Sequence, residues 1–346
     1  MATSGISVID TLFTSDAGPP IVTGAADHEA VGLVQDLLAG HGFAGMPGLT
    51  SASRGVFGPA TTQAIRSFQQ RCGLPSVPPD DAASCTVDAA TLRALVDTPA
   101  ATPTACRGYL SLVLDFPFTG MLRVMSLTTL FEGGGKFTAQ NRNTDGAGLS
   151  FGLIQWAQRP GRLNELLRAF RAQQPAAFVR TLGGGDAALA DRLVAHTARP
   201  NGGVDARGRS VDPAFELAGD PWTGRFREAG LDRALQAVQV SAALRAFAAS
   251  FAGIRAFAPQ VKSERGVAFL LDVANQHGDG GARSIFTAVA RPGLGEAALL
   301  AAMEEESVRR VSKQFGPNGD VAQSTRSRRH TFRTTAFLSD APFDPS

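Results

Sequence analysis

At 346 residues, with 44% hydrophobic and 18% charged residues and a net charge of +2, the chain has the size and balance of a globular protein of two or three domains. That composition excludes a disordered polymer and a protein that binds through overall charge. Three cysteines, Cys72, Cys85 and Cys106, exclude a disulfide-built scaffold, and no apolar run approaches the roughly 18–20 residues of a membrane span.

Charge is unevenly placed: residues 1–110 hold 5 Lys/Arg against 9 Asp/Glu, whereas residues 111–346 hold 28 against 22. A basic second part suits a domain that faces an anionic polymer. Cys72 and Cys85 lie close enough in sequence to pair, with free thiols as the alternative reading. The N-terminus carries no basic region ahead of an apolar stretch, so no secretory signal is read there. The expectation is a product made in the cytoplasm that reaches a cell wall or periplasm by release or by injection. Secretion machinery or an immunity protein would then be its protein partners.

Residues 1–26, rich in Gly, Ala, Ser, Thr and Pro, read as a flexible leader. Residues 27–97 read as three short helices. The first runs from His28 with apolar Val31, Leu33, Val34, Leu37 and Leu38 at helical spacing, and stops at Gly40 and Gly42. The second is capped by Thr61 and carries Ala64, Ile65 and Phe68 on one face. The third runs from Asp88, an aspartate N-cap, to Val96. The pieces Val31-x-x-Val34-Gln35-x-x-Leu38, Gly55-Val-Phe-Gly-Pro-Ala-Thr61-x-x-Ala64-Ile65-x-x-Phe68-Gln69 and Val87-Asp88-x-x-Thr91-Leu92-x-x-Leu95 resemble the type 1 peptidoglycan-binding domain. That resemblance implies a wall-targeting module. Arg54 stands where the family's loop usually has aspartate, and Pro75–Ser84 lengthens another loop.

A Pro/Ala/Thr linker spans residues 98–108. Residues 109–338 then read as a largely helical domain, with helices over 109–131, 160–172, 175–182, 186–196, 229–251, 263–276, 281–290 and 295–315, and a loop over 197–222. Residues 339–346 form a tail. Strands are expected only around 136–141 and 149–156, joined at Asp145-Gly146. The fold class is therefore α+β, mostly helical: a three-helix binding module followed by a helical domain whose small β-hairpin carries the site.

Two carboxylates flank this hairpin. Glu132 closes an apolar helix, where nonpolar neighbours suit a group that carries a proton, and Asp145 sits in a polar, glycine-rich turn. A proton donor beside a carboxylate that handles water or positive charge is the equipment for cleaving a glycosidic bond. Ser150 can orient the water. Gln155 and Trp156 are placed to line a sugar cleft, with Trp156 alternatively a core residue, and Asn141 joins them from the first strand.

The string Glu132…Asp145-Gly-x-Gly-x-Ser150-x-Gly152, followed far downstream by Gln276-His277-Gly278, resembles the lysozyme superfamily and within it the family 46 chitosanases. The resemblance implies Glu132 as general acid, Asp145 as base or electrostatic stabiliser, Ser150 in place of threonine, and His277 as a substrate contact or helix-end residue. The expected activity is a glycoside hydrolase on peptidoglycan, of muramidase type, as a phage-type endolysin or an injected antibacterial effector. Chitosanase, lytic transglycosylase and noncatalytic wall binder are the alternatives. No metal or cofactor is expected, since the five histidines have no ligand spacing. No nucleic-acid module, nucleotide fingerprint or membrane insertion is read. The basic segment Arg309-Arg310…Arg326-Ser-Arg328-Arg329…Arg333 is expected to be mostly solvated or paired with Glu304, Glu305 and Glu306.

Overall fold

The structure, a computed structural model, describes residues 4–15, 18–22, 24–76 and 85–346. Most of the lengthened loop Pro75–Ser84 lies outside the described residues. The protein is mostly helical with small antiparallel sheets, as expected. Its chain forms two compact units: Met1–Phe118 with Glu132–Ala242, and Thr119–Phe131 with Ala243–Ser346.

The first unit opens with helix α1, Ser7–Thr14, inside the stretch expected to be loose. Ile6, Ile9 and Leu12 recur every three residues and all three are buried in the module core. That apolar stripe folds the segment in spite of its Gly- and Ser-rich flanks. Strand β1, Ile21–Val22, then pairs antiparallel with β2, Thr86–Val87. The three expected helices are α2, His28–Gly40, α3, Pro59–Arg71, and α4, Ala89–Asp97. Asp27 and Asp88 cap α2 and α4 by accepting the amides of Ala30 and Thr91, and Pro59 opens α3, where its missing N–H costs nothing. Val31, Val34, Leu38, Ala64, Ile65, Phe68, Leu92 and Leu95 are all buried.

Two glutamines of the motif are structural. Gln35 donates to the Val56 carbonyl and the Thr61 hydroxyl and accepts the Gly55 amide, which fastens the Gly55–Thr61 loop to α2. Gln69 donates to the Thr86 carbonyl and the Thr91 hydroxyl, which ties α3 to β2 and α4. Arg54 forms a two-pronged ion pair with Asp36, one contact being Nη2 to Oδ2 at 2.7 Å. The buried carboxylate at Asp36 is therefore compensated by the residue that departs from the family pattern. The cysteines are free thiols, so Cys72 and Cys85 are not bridged.

The stretch 98–108 is packed rather than free. Thr104 bridges Lys136, the Ala105 amide donates to Gly135 at 2.8 Å, and Pro103 and Ala105 are buried. Extended backbone, which the prolines enforce, is what such a seam requires. The single helix expected over 109–131 is interrupted. One turn of π-helix, Tyr109–Val113, ends before Asp115-Phe116-Pro117, where Asp115 has φ 62° and Pro117 disfavours a helical residue before it. Helix α5 then runs Gly120–Gly133.

A three-stranded antiparallel sheet follows in the order β3, Gln140–Arg142, β4, Leu149–Phe151, and β5, Trp156–Ala157. The run 149–156, expected as one strand, is split by a turn in which Gly152 and Gln155 take φ 78° and 51°. Helices α6, Arg162–Gln173, α7, Pro175–Thr181, α8, Ala187–Thr197, and α9, Trp222–Leu231, pack beyond it.

Helix α10, Arg233–Phe257, is long and apolar enough, by length and composition, to cross a membrane. Its Leu235, Val238, Val240, Ala243, Phe247 and Ile254 are buried, and a third of its apolar window is covered by protein. The remaining helices are α11, Glu264–Val289, kinked at Gly278, α12, Glu296–Phe315, and α13, Asp320–Thr334. In this second unit Asp272 is fully buried between Arg328, at 2.6 Å, and Arg329. The basic segment is thus partly a core element. Arg333 does meet Glu304, at 2.6 Å, and Arg309 and Arg310 meet Glu306. Residues 339–346, expected as a tail, are tied down: the Phe343 amide donates to Lys262 and its ring meets Phe251.

Candidate active site

Glu132 is the penultimate residue of α5, and Gly133 lets that helix end press against the sheet. A Cβ built on Gly133 would lie 2.4 Å from the Ala139 Cβ, and 3.5 Å from the Gln155 amide nitrogen. Ala139 is in turn gripped through its carbonyl by the Gly152 amide at 2.8 Å. Glu132 and Gln155 are therefore brought to one end of the sheet. Gln155 holds its left-handed conformation with a bond from its own amide to the Gly152 carbonyl at 2.9 Å.

Asp145 lies at the other end of β3, exposed in the turn that joins it to β4. Its Oδ1 accepts the Ala147 amide at 3.1 Å, which fixes the turn. Asn141 is committed to the same turn: its Oδ1 accepts both the amide and the hydroxyl of Thr144. Asn141 therefore acts first as a brace of the Asp145 turn. The register sets Asn141, Ser150 and Ala157 side by side across the three strands, so they share one face. Ser150 is only 5% exposed.

Trp156 is a core residue, 4% exposed, packed on the Gly152 backbone. Its register partner Phe151 meets Phe226 at 5.0 Å, so this face packs into the core, and β4 is buried on both faces. An indole there has no surface to offer a sugar, and the sugar-lining expectation for Trp156 is corrected.

His277 belongs to the second unit. Its Nε2 meets the Ser307 hydroxyl at 3.2 Å, and burial, reinforced by Arg329 and Arg310, lowers its pKa to about 4. Gln276 beside it holds Thr325 and Arg329. The Gln276-His277 segment thus serves as internal bracing of α11 against α12 and α13.

Several site-shaping residues were not evident in the sequence. Gln239, fully buried on α10, accepts the Leu153 amide and donates to the Phe137 carbonyl, which clamps both flanks of the sheet. Gln158 accepts the Leu149 amide and donates to Gly202. The loop 204–210 is closed by the Val204–Ser210 bridge and presses on the Asp145 turn. Asn143 donates to the Arg207 carbonyl at 2.9 Å, and Arg159 reaches the carbonyls of both Gly146 and Ala206. Only glycine fits at 208, where φ is 74° and a Cβ would overlap Asn143. The Asp205-x-Arg-Gly-Arg string is the one signal in the sequence that a tight turn lies there. Among the described residues no group of histidine, cysteine or acidic side chains is placed to hold a metal ion.

Comparison with known proteins finds two likenesses. Residues 18–77 match the family described as "Putative peptidoglycan binding domain". A search of curated proteins gives no match. Among solved structures the chain is similar to a mutant chitosanase from Bacillus subtilis MY002 complexed with 6 GlcN, at TM-score 0.45 and 14% identity, covering 61% of this chain and 86% of that one. It is also similar to chitosanase OU01 with substrate, at TM-score 0.45 and 19% identity over 61% and 85%. A further chitosanase complex gives 0.44 and 20% over 62% and 91%. The family match falls on the stretch whose motifs resemble the type 1 peptidoglycan-binding domain.

Proposed function

We propose that the protein is a peptidoglycan hydrolase of muramidase type, with Glu132 as general acid and Asp145 as the carboxylate that activates water. The observation that supports this reading is that the end of α5, which carries Glu132, meets one end of β3 while the turn that carries Asp145 leaves the other. At about 3.3 Å per residue, the three steps from Ala139 to Arg142 span roughly 10 Å of backbone. Anchors at opposite ends of β3 are compatible with an inverting glycosidase, in which a water stands between carboxyls roughly 6.5–9.5 Å apart. The match of residues 18–77 to a wall-binding family supports a wall glycan as the substrate.

In this mechanism the Glu132 carboxyl gives its proton to the glycosidic oxygen as the bond to the anomeric carbon breaks. Asp145 takes a proton from the water that attacks the opposite face, with Ser150 assigned to orient that water. Gln155, whose amide lies beside Gly133, is assigned to bind the sugar near the donor.

Purified peptidoglycan is the substrate for the test, with new ends identified by mass spectrometry. Glu132→Gln is expected to lower turnover by roughly 10³-fold while leaving sedimentation with cell walls intact. Asp145→Asn is expected to be comparably impaired and to leave no anhydro ends. Unchanged turnover in Glu132→Gln rejects the assignment. Anhydro ends with full activity in Asp145→Asn indicate a lytic transglycosylase, and release of glucosamine oligomers from chitosan alone indicates a chitosanase.

A further inference from the structure

The two interlocked turns, 142–148 and 204–210, carry three arginines, and a fourth, Arg159, ties the turn that holds Asp145 to the other. Arg142, Arg207 and Arg209 are exposed and have no ion-pair partner among the described residues. Arg159 lies between the turns and spends one nitrogen on the carbonyls of Gly146 and Ala206. The acids on this surface are occupied by backbone. Asp145 accepts the Ala147 amide, and Asp205 accepts those of Arg207 and Arg209 at 2.8 and 3.0 Å. Asp212 and Glu216 turn away, to the amides of Ala214 and Ser210.

Isolated surface arginines are usually just hydrated. This group differs in standing on two turns that are bonded to each other. His196, 2% exposed, meets the Ser210 hydroxyl at 3.2 Å and packs so tightly on Gly203 that a Cβ there would lie 2.6 Å from its Nε2. With Asn143 and Arg159 it fixes the backbone of the loop, so little conformational freedom is lost when an anion is bound. Guanidinium forks in this setting recognise carboxylate or phosphate oxygens, and they repel an amino-sugar polycation.

We infer that Arg142, Arg207 and Arg209 form a subsite for the peptide-borne carboxylates of an acidic wall glycan, next to the bond that Asp145 serves. The subsite's place beside the scissile bond rests on the glycosidase reading above; its ability to bind carboxylates does not.

The test compares the full chain with the double variant Arg207→Gln/Arg209→Gln. Two substrates are used: peptidoglycan freed of phosphate-bearing polymers, and the same material with its carboxylates converted to amides. The variant is expected to show an approximately tenfold higher KM on the native material with kcat unchanged, and parity with wild type on the amidated material. Labelled soluble stem-bearing fragments are expected to bind the variant about tenfold more weakly, and the wild-type affinity to fall with salt. Equal KM and Kd for both proteins, an equal penalty on amidated material, or a penalty only where phosphate polymers remain, each overturns the subsite. If neither protein cleaves any glycan, the glycosidase reading fails, and the fragment Kd alone decides: a tenfold difference upholds the subsite and none overturns it.

Discussion

Gly133 controls how closely the end of α5 approaches the sheet, because any β-carbon there collides with Ala139. Gly133→Val is expected to lower the stability of the protein by about 1–3 kcal/mol and to impair turnover, as overpacking does. Gly133→Ala is expected to be milder, and Ala139→Gly to restore part of the loss in the double variant. Thermal unfolding and turnover measured together check this, and additive losses in the pair would argue against the contact. At this scale the helix-borne Glu132 and the Asp145-Gly146 turn were legible, because a helix end and a turn each leave a local signature. Trp156 was not: alternation assigns it a strand but does not say which face is covered. Arg328 and Arg329 were hidden for a different reason. Their charge argues for the surface, and the partner that pays for burying it, Asp272, lies 56 and 57 residues away.

Among the elements, α1 is the clearest addition to the binding module. Ile9 is fully buried in its core, so Ile9→Ala is expected to cost about 2–5 kcal/mol and to lower the melting temperature of the protein. Calorimetry decides it, and an unchanged transition would mean the helix is dispensable. The stripe Ile6, Ile9, Leu12 is the signal that composition masked. Helix α13 was missed because its inward face, Ala322, Thr325, Arg328, Arg329 and Phe332, has helical spacing but little apolar character. The division of 149–156 into two strands turns on Gln155, a residue with no glycine-like permissiveness to announce a left-handed conformation.

For the molecule as a whole, histidines set an acid limit. His277, pushed to about 4 by burial and then by Arg329 and Arg310, and His196 and His41, lowered chiefly by burial, are held neutral in the folded state. Unfolded histidine binds its proton near pH 6.5, so the unfolded chain gains protons first as pH falls. Stability that is complete above pH 6.5 is therefore expected to be lost progressively towards pH 4, with His277 accounting for on the order of 2 kcal/mol after allowing for its partial exposure. His277→Asn should flatten this part of the profile when melting temperatures are followed from pH 7 to pH 4. A variant that falls as steeply as wild type would assign the loss elsewhere.

The carboxyl-terminal residues close off the front of α5, the helix that carries Glu132. Backbone carbonyls of Pro345 and Ser346 accept the amides of Met121 and Gly120, and Gly120 sits so close to Asp344 that no side chain fits between them. A purification tag fused after Ser346 would thus be attached at the seat of α5, where it competes with the contacts that anchor that helix.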